Sequence, residues 1–304
     1  MLFGFATVDN DVCILCGQLG VPQRRRSAEE LAGSYLTYLG QCLPNDIRIK
    51  YFCTYSIEYI CDSCGVRYYT PSIVGEGDFY AALGEMFDWY YQGGWDKGLA
   101  IDFLARLEDR PRQILEIGSG EGLFLEQLMQ RGLTGAGVDI NETAVKAAQC
   151  KGLQVALPDK LQLANCDILC AFQTIEHLAN PVSLLREYIS KYSPRLTILS
   201  APCFETLLGY TTDPLVWPPH HITAWSAKGF GTLAKLLGLK IEHIWYQPQT
   251  FTEFQDKQKR EVKGRIPGIP YLPNNRFGHF AFRLAQRMRL HWANRAHSIM
   301  VALG

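Results

Sequence analysis

Three glycines at spacing two, Gly118, Gly120 and Gly122, follow an apolar stretch that closes on Glu116-Ile117 (113–122, QILEIGSGEG). Glycine is needed where a backbone turns sharply and lets a ligand lie against it. Seventeen residues after Gly122, a second apolar stretch (135–139, GAGVD) ends in Asp139. A carboxylate at that strand tip is placed to hold two ribose hydroxyls. Together these residues describe a nucleoside cofactor lying across the carboxyl ends of a parallel sheet. A dinucleotide fingerprint would put its third glycine at Leu123, one place later than Gly122.

Two further constellations carry chemistry. Cys13-Ile14-Leu15-Cys16-Gly17 and Cys61-Asp62-Ser63-Cys64-Gly65 are knuckles of one form. Two residues between thiolates, then glycine, let backbone N–H groups turn toward both sulfurs, and four thiolates close a tetrahedral structural zinc site. Such a site leaves the ion no open position; its task is to fold a small module that lacks a sufficient core of its own. The histidines form the other group: His177 within QTIEHL (173–178), and His220 and His221 within PPHH (218–221). A neutral imidazole suits proton removal at pH 7.

The elements that must position these groups read as alternating strands and helices. Helices are expected from 123 and over 142–151, with strands over 153–157 and 167–172. The second of these is a near-continuous apolar run of the kind buried on both sheet faces. Asn180 caps a helix that has Pro181 at its first position. Strands follow over 196–200 and 240–246, with a helix over 226–237 between them and a last strand over 297–303. His177 then lies just beyond the fourth strand, and His220 and His221 lie in the loop after the fifth, all on the edge where a ligand crevice opens. Ahead of this core, Ser27 and Glu30 form a capping box, and Leu31, Tyr35, Leu39 and Leu43 keep helical spacing. The alternation of Ile49, Tyr51, Cys53, Tyr55, Ile57 and Tyr59 reads as strand. Cys42, Cys53, Cys150, Cys166, Cys170 and Cys203 lack ligand spacing and read as small core residues.

The E-x-G-x-G-x-G pattern resembles motif I of class I S-adenosylmethionine-dependent methyltransferases. The resemblance implies an α/β fold: a seven-stranded Rossmann-like sheet whose last strand slots antiparallel between strands five and six. It also implies a donor site in which Glu116 lies near the methionine ammonium, Gly118, Gly120 and Gly122 pass beneath the amino-acid part with Ser119 beside them, and Asp139 with Ile140 holds the ribose. Gln173, at a strand tip, is expected to touch the methionine portion. The Q-x-x-E-H-L-x-x-P element, the loop ending HHITAWS and the four N-terminal cysteines are similar to a subgroup of sugar C-methyltransferases. That likeness implies His221 as base, His177 as substrate binder or second base, and a nucleotide-sugar or lipid-linked glycan precursor as acceptor. The long gap between the cysteine pairs and a basic insertion before the last strand depart from the subgroup's pattern.

The expected organisation is a zinc-binding module (1–75), a helical bridge (76–110), a methyltransferase core (111–246 and 296–304) and the basic insertion (247–295). In the bridge, Tyr90, Tyr91 and Trp95 either pack between domains or lie over the donor's sulfonium. In the insertion, 274–292 reads as an amphipathic helix with Phe280, Leu284 and Met288 at four-residue spacing, and a basic helix of this kind suits peripheral contact with an anionic membrane. The 304 residues carry 30 Lys+Arg against 30 Asp+Glu, so overall charge does not advertise a polyanionic partner. No run spans a bilayer, and no basic-then-apolar leader opens the chain, which points to a cytoplasmic protein. The cysteine module and basic insertion also fit a zinc-containing rRNA or tRNA methyltransferase. A non-catalytic S-adenosylmethionine-binding protein would keep the same glycine pattern.

Overall fold

The apolar runs of the second half pair into a single sheet. In the computed structural model, which describes residues 11–87, 94–204, 213–252, 254–255, 272–288 and 298–304, its strands are β4 (Ile114–Ile117), β5 (Gly135–Val138), β6 (Val155–Ala156), β7 (Ile168–Phe172), β8 (Leu196–Pro202), β10 (Ile241–Tyr246) and β11 (Ser298–Leu303). Their order is β10-β11-β8-β7-β4-β5-β6. The five strands from β4 to β8 run parallel. β11 lies between β8 and β10 and is antiparallel to both, as expected. A parallel sheet needs both faces covered. Leu115, Ile117, Leu169 and Leu199 pack on one face with helices α7 (Pro181–Tyr192) and α8 (Ala227–Leu237). Ile114, Ile168, Cys170 and Ile198 pack on the other with α4 (Trp95–Ala105), α5 (Leu123–Gln130) and α6 (Glu142–Cys150).

A second, four-stranded sheet has the order β1-β2-β3-β9, from β1 (Val21–Arg26), β2 (Ser56–Ile60), β3 (Arg67–Thr70) and β9 (Thr223–Ala224). β9 comes from the loop after β8, two residues beyond His221, so the N-terminal sheet is completed by the core. This join fixes the histidine loop from several sides. Thr223 pairs with Tyr68, Tyr69 N–H donates to the Ile222 carbonyl, and Ile222 N–H donates to the Glu176 carbonyl. The second cysteine knuckle holds the start of α8, since the Ser226 hydroxyl donates to the Gly65 carbonyl and Lys228 Nζ donates to the Asp62 carbonyl at 2.5 Å.

The capping box at Ser27 and Glu30 forms and starts α1 (Ala28–Leu39). Ile49 and Tyr51, read as strand from their alternation, lie instead on a short helix, α2 (Asn45–Tyr51), and the strand is confined to Ser56–Ile60. The i, i+4 pair Ile47 and Tyr51 buries one face of that helix, a period that the apparent alternation masks. Cys166, Cys170 and Cys203 are buried as expected, whereas Cys42, Cys53 and Cys150 are exposed at element ends and turns. α3 (Gly77–Met86) and α4 form the bridge; Tyr90 and Tyr91 fall outside the described residues. In the insertion, α9 (Arg276–Arg287) buries Gly278, Phe282 and Ala285 against Phe251, Phe254 and Leu272, while Phe280, Leu284 and Met288 face solvent. No helix among the described residues is long and apolar enough to cross a membrane.

Candidate active site

A cavity of about 620 Å³ opens along the carboxyl ends of β4, β5 and β7, with the glycine turn at one end and the three histidines at the other. At the first end, β4 stops at Ile117 and the backbone enters the left-handed region at Gly118, Gly120 and Gly122, with φ of 72°, 53° and 80°. A side chain at Gly118 would strike Thr174 Oγ1, its Cβ lying 2.4 Å away. Gly118, Ser119 and Gly120 line the cavity. Gly122 does not; it caps α5 and its missing side chain makes room for Leu153, 2.4 Å from where a Cβ would stand.

Asp139 stands across the turn. Its Oδ2 accepts from Gly120 N–H at 2.7 Å and its Oδ1 from Asn141 N–H at 2.8 Å. Burial pushes this carboxyl up, and the two N–H groups oppose the shift. Ile140, 53% exposed, forms an apolar lip beside it. Asp139, Ile140 and the Gly118–Gly120 turn therefore line the same end of the cavity.

Glu116 is not at the cavity wall. Completely buried, it shares the sheet face of Ile114 and meets Lys97 Nζ at 3.4 Å, and Lys97 is the group that reaches the cavity. Burial pushes the Glu116 carboxyl up to about 7, with Lys97 pulling the other way. Gln173 adopts a left-handed backbone (φ 48°) and donates through Nε2 to Asp96 Oδ2 at 3.0 Å and Ser200 Oγ at 3.2 Å. Asp96, buried at the start of α4, also accepts from the Ser200 hydroxyl. Trp95 packs with the α4–α5 side of the core and does not line the cavity. Asp96 and Lys97 were missed in the sequence, where only an acid–base pair inside an aromatic stretch (GGWDKG) marked them.

At the far end His177, His220 and His221 converge with ring centroids 4.4–4.8 Å apart. His177 Nδ1 lies 2.5 Å from the His220 carbonyl and His220 Nδ1 2.7 Å from the Leu215 carbonyl. A carbonyl only accepts, so both Nδ1 atoms carry the proton. His221 Nε2 is 3.9 Å from Glu176 Oε1. Burial pushes His177 down to about 4 and holds His220 and His221 well below the usual imidazole range, reinforced by His177 on both and by His220 on His221. Burial likewise raises Glu176 well above the carboxylate range. Tyr80 of α3 meets His177 edge-on, its ring centroid 5.4 Å away.

Away from the cavity, Cys13, Cys16, Cys61 and Cys64 converge with all four sulfurs within 4.8 Å of one another. Cys13–Cys64 and Cys16–Cys61 are each 3.4 Å apart. A tetrahedral ion with metal–sulfur bonds near 2.3 Å needs sulfurs about 3.8 Å apart, so the cluster fits one.

A methyltransferase-domain family model matches residues 92–244, just over half of the 304 residues. The ubiquinone biosynthesis O-methyltransferase of Paracidovorax citrulli (strain AAC00-1) is 27% identical over 105 residues. That stretch is 31% of this chain and spans only 41% of the relative's length. Among solved structures, an S-adenosylmethionine-dependent methyltransferase from Archaeoglobus fulgidus is 19% identical, covering 72% of this chain and 98% of that one, with a TM-score of 0.46. The plantazolicin methyltransferase BpumL, in complex with a pentazolic desmethylPZN analog and S-adenosylhomocysteine, is 14% identical, covering 74% and 90%, with a TM-score of 0.48. With the seven-stranded sheet, the glycine turn and the facing carboxylate in place, and the family model spanning 92–244, the chain belongs to the methyltransferase-domain family.

Proposed function

We propose that this chain transfers the methyl group of S-adenosylmethionine to an oxygen-rich small or carrier-linked acceptor, such as a nucleotide sugar or surface-glycan precursor. One observation carries the reading: the donor-type turn, with Asp139 held between two N–H groups, shares a single cavity with three histidines at its opposite end. The donor's ribose rests on Asp139 against the Ile140 lip, and its amino-acid part crosses Gly118, Ser119 and Gly120. Lys97 meets the methionine carboxylate, and Gln173 borders the same portion. Glu116 acts behind the wall, by setting the charge around Lys97. Gly122 serves by packing α5 against Leu153.

Transfer is an in-line displacement. The bond from sulfonium sulfur to methyl carbon breaks, the electron pair stays on sulfur, and the acceptor atom bonds the methyl carbon. Holding both partners close and aligned supplies up to about 7–11 kcal/mol. The acceptor also loses a proton. His221 and His177, neutral and facing the cavity, assist that loss, with His220 bracing both. The four cysteines hold a structural zinc whose module keeps the histidine loop in place.

Calorimetry with S-adenosylmethionine, followed by label transfer to a panel of nucleotide sugars and product mass measurement, tests the proposal. A 14-dalton gain on one class, dependent on His221, is expected from replacing a hydrogen by a methyl group. Absence of donor binding sinks the reading. Label retained by RNA and weakened steeply by salt would move the acceptor to nucleic acid.

A further inference from the structure

We infer that His177, His220 and His221 hold a divalent transition-metal ion at the acceptor end of the cavity. The inference deepens the proposed function, in that it gives the histidine-assisted proton loss a physical agent. It rests on that reading for the acceptor's place only, since the ion's ligands are all in the chain.

Four observations carry it. One ligand atom from each imidazole lies within 4.8 Å of the others. Each ring also turns one nitrogen to an oxygen: His177 Nδ1 to the His220 carbonyl, His220 Nδ1 to the Leu215 carbonyl, and His221 Nε2 toward Glu176 Oε1. A metal-binding imidazole needs this arrangement, because an outer acceptor fixes the tautomer and aims the remaining lone pair. The ligand atoms that follow are His177 Nε2, His220 Nε2 and His221 Nδ1, and the last is fully buried with no hydrogen-bond partner.

Glu176 supplies the fourth observation. It is 0% exposed, and neither carboxyl oxygen has a hydrogen-bond partner. An orphaned buried polar group costs about 1–3 kcal/mol, more when charged. The same group becomes favourable as the outer carboxylate of a carboxylate–histidine–metal chain. There it would accept from His221 Nε2–H and orient that ring.

Three imidazoles suit zinc and the other later first-row ions, and three protein ligands leave a position open toward the cavity. The open position takes an acceptor hydroxyl or carbonyl oxygen. The ion would act there as a Lewis acid, lowering the pKa of an acceptor hydroxyl so that its proton could pass to solvent near neutral pH. A tetrahedral ion needs ligand nitrogens about 3.4 Å apart. The loop that carries two of the ligands is pinned by β3, β9 and Glu176.

The test uses the full chain and zinc itself, with cobalt as a spectroscopic probe. After equilibration with excess zinc and gel filtration, His177→Ala/His220→Ala should hold one ion fewer per chain than wild type. Glu176→Gln, which keeps the shape, should weaken the histidine-held ion about 10–100-fold without loss of fold. Cobalt bound at this site should give visible bands with no sulfur-to-metal charge transfer, and these should vanish in His220→Ala while the thiolate bands persist. Equal metal content and unchanged cobalt spectra across wild type and the histidine variants would overturn the inference. Donor calorimetry on the same samples separates the two ideas. Donor binding with no second ion removes the metal and leaves free imidazoles as bases, whereas lost donor binding in wild type removes the methyltransferase reading itself.

Discussion

The two ends of the cavity are built in opposite ways. The ribose side of the donor end is local: Gly118 to Asp139 is a turn, a helix and a strand tip, and its hydrogen bonds, Gly120 to Asp139 and Asn141 to Asp139, span at most 19 residues, with Lys97 and Gln173 brought in from farther along the chain. The histidine end is assembled from distant pieces. His177 follows β7, His220 and His221 arrive more than 40 residues later, and the loop that carries them is paired to Tyr68 and Tyr69 of the N-terminal sheet. A local site tolerates damage elsewhere in the chain. A composite one inherits every weakness of the elements that clamp it.

The sharpest way to separate the ends is His221→Ala. Turnover should fall by about 10²–10⁴, the range for loss of a proton-transfer group, while donor affinity measured by calorimetry stays at the wild-type value. Parallel losses in both would mean that the ends are not independent. Next in size is Cys61→Ser, at a residue far from the donor. Zinc content should drop by one per chain, and the knuckle that accepts from Ser226 and Lys228 should loosen. Misplacing the histidine loop by about 1 Å costs up to about 10² in turnover. Donor affinity in the folded fraction should again be spared. A variant that has lost the cysteine-held ion but keeps full turnover would show that the module does not brace the loop.

The same contrast explains what the sequence disclosed. Glycine spacing, the Asp139 strand tip, the cap at Asn180 and the four-cysteine knuckles are each set within a few residues, so local rules reach them. The antiparallel β11 came from the fold resemblance rather than from spacing. Lys97 and Asp96 escaped because their meaning depends on the sheet edge that α4 crosses, and nothing local distinguishes them from ordinary polar residues at a helix start. Glu116 was legible as a residue and not as a position, since β4's alternation turns it away from the cavity to Lys97. The helix at Ile47 and Tyr51 was misread because a short apolar run satisfies both periods. α9 kept its predicted helical period, but Phe282 rather than Phe280 turned inward, and only packing against Phe251 and Phe254 decides that.

Glu116 offers a test of the donor end alone. Its folded pKa, near 7, stands above the usual carboxylate value of 4.5 because burial penalises the anion. The folded state therefore holds more protons than the unfolded state between pH 4.5 and 7. Stability falls as pH rises through that window and levels off above it, by up to about 3 kcal/mol. Glu116→Gln has no proton to lose at this position, so its melting temperature should decline less than the wild type's between pH 4.5 and 7. Superimposable profiles would mean that Lys97 already compensates the buried charge.

The smallest expected effect probes the ribose contact. In Asp139→Asn one oxygen remains to accept, and the amide nitrogen faces either Gly120 N–H or Asn141 N–H, donor against donor. One hydrogen bond is lost and one ribose hydroxyl meets a weaker acceptor, for a combined loss of about 1–2 kcal/mol. Donor affinity should weaken about tenfold, with turnover at saturating donor unchanged, since the histidine end lies across the cavity and shares no hydrogen bond with Asp139. A fall in saturated turnover equal to the fall in affinity would show that the ribose contact also sets the methyl group's aim. The two ends would then act as one device despite their separate construction.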